Sequence, residues 1–185
     1  MYPWWRKDWL VEFPLATMNP DELLLLPDPG YPDYLSSVSL GKINYETFPL
    51  KAENNFLPDL QAIPEEVAKR AKFIYVNYPN NPTGAVATAA FYEELVAWAK
   101  KYEVGVVSDF AYGALGADGY ENPSFLSTPG AKDVGIELYT FSKTFNMAGW
   151  RLAFAAGNEQ LIEALNLLQD HLFVSIFLLF KMREQ

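Results

Sequence analysis

Phe73-Ile-Tyr-Val-Asn-Tyr-Pro-Asn-Asn-Pro-Thr-Gly84 decides the fold. Its first half, Phe73 to Tyr78, reads as a buried strand, and Pro79 and Pro82 stop it. Downstream, Thr88 to Tyr102 has the apolar spacing of an amphipathic helix, with Thr88 as its cap. Val104 to Ser108 is a second buried strand, ending in Asp109. A loop rich in Gly and Pro then runs as far as Lys132. Ile136 to Phe141 is a third strand that stops near Lys143, Leu152 to Ala156 a fourth, and Asn158 to Leu172 a helix. Upstream, Asp21 to Pro27 reads as a short buried strand closed by Pro27, Pro29 and Gly30. Tyr31 to Leu40 is read as a helix, Ile43 to Leu50 as a strand, and Asp59 to Ala71 as a helix with Pro64 near its start. Strands alternating with helices imply right-handed crossovers, hence an α/β fold with a mostly parallel sheet flanked by helices. One domain is the simplest count.

The bulk composition narrows the function. The chain has 185 residues, half of them hydrophobic and 20% charged, which suits a packed domain and not a disordered one. Fourteen basic residues against 23 acidic give a net charge of −9. Such a surface speaks against nucleic acid or an anionic membrane surface as partners. There is no cysteine, which removes disulfides and thiolate metal sites and fits a cytoplasmic location. The single His171 argues against a histidine-rich metal site or a Ser-His-Asp triad, and reads as a helix-surface or packing residue. The longest apolar run near the end, Leu172 to Phe180, is about half of the roughly 20 residues a membrane span needs. Trp4, Trp5 and Trp9 crowd the start, which reads as a packed or interface arm.

The reactive side chains fall in one pattern. Asn81, Asp109 and Lys143 each lie just past the end of a predicted buried strand. Open α/β sheets bind ligands outside the carboxyl ends of their strands. Three segments therefore deliver an amide, a carboxylate and an amine to one rim.

Four motifs contain these residues. Asn80-Asn-Pro-Thr-Gly84, Asp109-Phe-Ala-Tyr112, Thr140-Phe-Ser-Lys143 and Gly149-Trp-Arg151 resemble, in order and approximate spacing, the signatures of class I/II aminotransferases of fold type I. The resemblance covers roughly residues 19–175. The stretch from Pro123 to Glu137, with Asn146 to Arg151, is similar to the LL-diaminopimelate branch and to related N-acyl-diaminopimelate and aspartate aminotransferases. Residues 19–175 would then be the large, cofactor-binding domain of a fold type I enzyme. Residues 1–18 form an arm and 176–185 a tail, both outside the resemblance.

The resemblance implies pyridoxal 5'-phosphate as cofactor. It also implies amino-group transfer, in ping-pong order, between an amino acid and a 2-oxo acid. Lys143 would be the Schiff-base lysine, its freed amine then moving the substrate proton. Asp109 would face the pyridine nitrogen and keep it protonated, which strengthens the ring as an electron sink. Asn81 and Tyr112 would donate to the ring 3′-oxygen. Arg151, whose guanidinium donors form a fork, and the hydroxyls of Thr140 and Ser142 would hold the phosphate. Tyr31, in Pro29-Gly-Tyr-Pro32, matches the aromatic that stacks on the ring in that family.

The sequence departs from the pattern at both ends. Relatives of this kind are about twice as long. Their glycine-rich phosphate loop and the small domain carrying the arginine for the substrate carboxylate find no match here, so a truncated chain is expected. The family builds its site at a dimer interface, which implies a homodimer. The shared motifs leave open a lyase or synthase on the same scaffold, and a remnant that folds without turnover.

Overall fold

Strand β1 (Leu23–Asp28) is buried from Leu23 to Pro27, as a strand covered on both faces must be. It belongs to a computed structural model that describes residues 9–116 and 119–172. Five further strands join it: β2 (Asn44–Pro49), β3 (Ala71–Asn77), β4 (Gly105–Asp109), β5 (Gly135–Thr140) and β6 (Ala153–Gly157). They form one sheet in the order β2-β1-β3-β4-β5-β6. β1 to β5 run parallel, and β6 is antiparallel to β5. The α/β, mostly parallel architecture read from the sequence is the one observed.

Seven helices cover the sheet among the described residues: α1 (Trp9–Thr17), α2 (Asp33–Gly41), α3 (Glu65–Arg70), α4 (Ala89–Tyr102), α5 (Ala131–Val134), α6 (Phe141–Thr144) and α7 (Glu159–Leu172). The period-2 alternation of strand side chains sorts the core into two layers. On β3, Phe73 and Tyr75 point to one face, where Phe13, Tyr34 and Leu165 of α1, α2 and α7 pack. Ile74 and Val76 point to the other, against Phe91, Leu95 and Trp98 of α4. Thr88 caps α4 as expected, its side chain accepting from the Phe91 N–H at 3.1 Å.

The structure revises several boundaries. The helix expected over 59–71 is confined to Glu65–Arg70. Asp59 Oδ1 accepts from the N–H groups of Gln61 and Ala62, which turns the chain before Pro64. The strand expected to begin at Asp21 begins at Leu23, because Glu22 instead accepts from the Asn19 N–H at 2.7 Å. The strand expected to reach Phe141 ends at Thr140, where α6 starts. The loop expected to reach Lys132 contains a 3-10 turn at Phe125–Ser127 and the start of α5. Trp9, Leu10 and Phe13 of α1 are buried. Trp4, Trp5 and residues 176–185 lie outside the described residues. No helix among the described residues is long and apolar enough to cross a membrane.

Candidate active site

β3, β4 and β5 are neighbours and parallel, so their carboxyl ends open on one rim. After β3 the chain makes a tight turn. The Asn80 side-chain oxygen accepts from the Thr83 N–H and hydroxyl at 3.2 and 2.8 Å, and Gly84 takes φ +73°. Few residues other than glycine tolerate that angle. Asn81 stands at the rim of this turn. β4 ends at Asp109, and β5 runs without a loop into α6. The Thr140 hydroxyl oxygen accepts from the Ser142 N–H at 3.1 Å and starts that helix, which carries Lys143.

One cavity collects most of the expected side chains: Tyr31, Asn81, Asp109, Tyr112, Thr140 and Lys143 all line it. The Lys143 amine lies 5.4 Å from the centre of the Tyr112 ring. Asp109 is buried, and its Oδ1 accepts from the Ala111 N–H at 3.2 Å while Oδ2 accepts from the Tyr34 hydroxyl at 2.9 Å. Tyr31 donates to Asp33 at 2.6 Å. That bond, with burial and the nearby Asp33 and Asp109 charges, pushes its phenol up to about 12. Tyr31 therefore stays a neutral ring at the mouth of the cavity.

Two expected residues stand off the cavity wall. Ser142 is buried and takes a hydrogen bond from the Thr140 hydroxyl at 2.9 Å. Arg151 sits at φ +55° with its guanidinium donating to the Ala148 carbonyl at 3.2 Å. The next residue, Leu152, accepts from the Phe141 N–H at 3.0 Å, which keeps Arg151 near α6.

Sequence reading missed two residues here. Asn77, the last of β3, is buried on the same wall; its Nδ2 donates to the Asp109 carbonyl at 2.8 Å and its Oδ1 accepts from the Asn81 N–H at 2.8 Å. A polar residue ending an apolar strand was the available signal. Tyr34, which holds Asp109, lies in the first turn of α2, and its N–H donates to the Tyr31 carbonyl at 3.1 Å, a turn that brings the two rings to 5.8 Å.

An amine and a carboxylate sharing a wall, with amide and phenol donors beside them, can bond an electrophilic carbonyl and hold a ring cation opposite it. Comparison with known proteins gives the family. A profile of the family described as aminotransferase class I and II matches residues 9–179. The L-glutamine–4-(methylsulfanyl)-2-oxobutanoate aminotransferase of Bacillus subtilis (strain 168) is 57% identical over 171 residues, covering 92% of this chain and 43% of that protein. The LL-diaminopimelate aminotransferase of Aquifex aeolicus (strain VF5) is 52% identical over 160 residues, covering 86% and 41%. Substrate-bound BacF from Bacillus subtilis superposes with a TM-score of 0.88 at 49% identity, over 91% of this chain and 42% of that one. The chain spans less than half the length of each of these relatives. These matches bear out the resemblance read from the four motifs: the chain belongs to the aminotransferase class I and II family.

Proposed function

We propose that this chain holds pyridoxal phosphate and takes part in moving an amino group between an amino acid and a 2-oxo acid. The observation that carries this reading is the shared cavity of Lys143 and Asp109, at the ends of adjacent parallel strands. Its donor set fits the cofactor: an amine for the aldehyde, a buried carboxylate for the ring nitrogen, an amide and a phenol for the ring oxygen. Pyridoxal phosphate, when bound, supplies an aldehyde to the amine and a ring that accepts electrons.

The side chains then have distinct tasks. Asp109 would hold a proton on the ring nitrogen by opposing it with a negative charge. Asn81 and Tyr112 would orient the ring through its oxygen, and Tyr31 would pack against it. Thr140, on the cavity wall, with Ser142 bonded to it and Arg151 beyond, would hold the phosphate; Arg151 would have to leave the Ala148 carbonyl to reach it. The Lys143 amine would take and return the substrate proton at Nζ. The relatives' names specify different amino acids, so the substrate pair is proposed at the level they share. A homodimer belongs to the same reading. Phe145 and Trp150, 54% and 55% exposed beside the cavity-bearing helix α6, supply apolar surface for it.

The test is chemical trapping. Borohydride reduction in the presence of pyridoxal phosphate is expected to fix the cofactor on the peptide containing Lys143, read by mass spectrometry. Lys143→Ala is expected to abolish it. Labelling spread over surface lysines, unchanged in that variant, would refute the assignment.

A further inference from the structure

We propose that Tyr34 is a positioning residue for Asp109, its hydroxyl fixing the carboxylate in the orientation that faces the cavity. The proposal deepens the proposed function and rests on it for what Asp109 does.

The geometry is specific. The Tyr34 hydroxyl donates to Asp109 Oδ2 at 2.9 Å across 75 positions of sequence, linking α2 to the end of β4. The ring cannot swing away. It is 2% exposed and meets Tyr31 and Tyr75 edge-on, with centroids 5.8 and 5.3 Å apart. Burial first, then the neighbouring Asp109 charge, holds the phenol well above its usual range. It therefore donates and never competes as an anion. With the Ala111 N–H on Oδ1, each carboxylate oxygen has at least one donor from the protein. Donors of this kind favour the ionised form, the form needed opposite a ring cation. The other titratable groups on this wall are Tyr31, Tyr112, Tyr139 and Lys143; Tyr75 is buried behind it, near enough to feel the Asp109 charge, and α1 presents only Trp9 and Leu10 on the wall.

A tyrosine that merely fills the core would account for the burial but not for an effect on Asp109. The cofactor-free, full-length chain with carbon-13 carboxyl-labelled aspartate separates the two. In Tyr34→Phe, the Asp109 ionisation midpoint is expected to rise by roughly one pH unit, a tenfold gain in proton affinity, as for loss of one hydrogen bond to a charged group. Tyr75→Phe is the control. It removes an equally buried hydroxyl that donates to the Leu10 carbonyl and not to Asp109, and is expected to leave the midpoint in place. An unmoved midpoint in Tyr34→Phe, or an equal rise in both variants, overturns the proposal. Should Tyr34→Phe fail to fold, the parent suffices. The Tyr34 Cζ resonance is expected to shift with the Asp109 midpoint, and a flat resonance overturns the proposal. With cofactor added, Tyr34→Phe is expected to bind pyridoxal phosphate several-fold more weakly while still being trapped at Lys143. A parent that traps nothing, with the midpoint still moving in Tyr34→Phe, sinks the cofactor reading and leaves the positioning role standing.

Discussion

Two buried carboxylates sit one strand apart and do opposite things. Asp109 faces the cavity, and its charge is the useful form. Asp109→Asn keeps the shape and removes the charge. Loss of a charge-assisted bond of about 1.5–3 kcal/mol is expected to weaken pyridoxal phosphate binding roughly 10- to 100-fold, measured by equilibrium titration of the apo chain. Glu137 on β5 is spent on structure. It accepts from Ser124 at 2.6 Å, from the Phe125 N–H at 2.8 Å and from Ser108 at 3.1 Å. Burial nevertheless raises its carboxyl above the ordinary value, and those bonds offset only part of the rise. A raised folded value means that ionising Glu137 costs stability. Its contribution is most favourable below the unfolded carboxyl value and is lost as pH rises through the folded one. Denaturation curves across that acid range are expected to show this pH-dependent loss in the parent and its absence in Glu137→Gln. Equal pH slopes in the two chains would contradict it.

Helices and strands test the sequence logic more strictly than single side chains do. The cap at Thr88 was legible because an acceptor stood just ahead of an apolar-periodic run; Thr88→Ala is expected to cost about 1 kcal/mol by chemical denaturation. Close approaches between strands were not legible. A Cβ at Gly135 would lie 2.2 Å from the Val106 carbonyl of β4. Gly135→Ala is therefore expected to lower stability by about 1–3 kcal/mol through overpacking. β3 and α4 were readable because doubly buried strands and one-sided helices carry strong patterns. The 59–64 segment was misread because its apolar spacing suits a helix, while Asp59 can satisfy nearby N–H groups locally and wins. α5 and α6, four residues each, are too short to leave a periodic trace.

At the scale of the molecule, strand order explains why the site could be found in the sequence at all. Residues that end β3, β4 and β5 must converge once those strands are neighbours. That rule located Asn81, Asp109 and Lys143, but gave no direction for the chain once it leaves β5. Ser142 and Arg151 depend on a helix cap and on a left-handed residue, which tertiary packing sets. Assembly is read at this scale too. Sedimentation of the parent is expected to give a dimer, and Phe145→Asp with Trp150→Asp to shift it towards monomer; a stable monomeric parent would remove the homodimer from the reading. The Asn77 amide has a wider consequence. Because one side chain grips both the turn after β3 and the end of β4, the two loops are yoked. Neither can be re-aimed alone, and a lineage seeking a deeper or shallower cup must shift both together or give up that amide first.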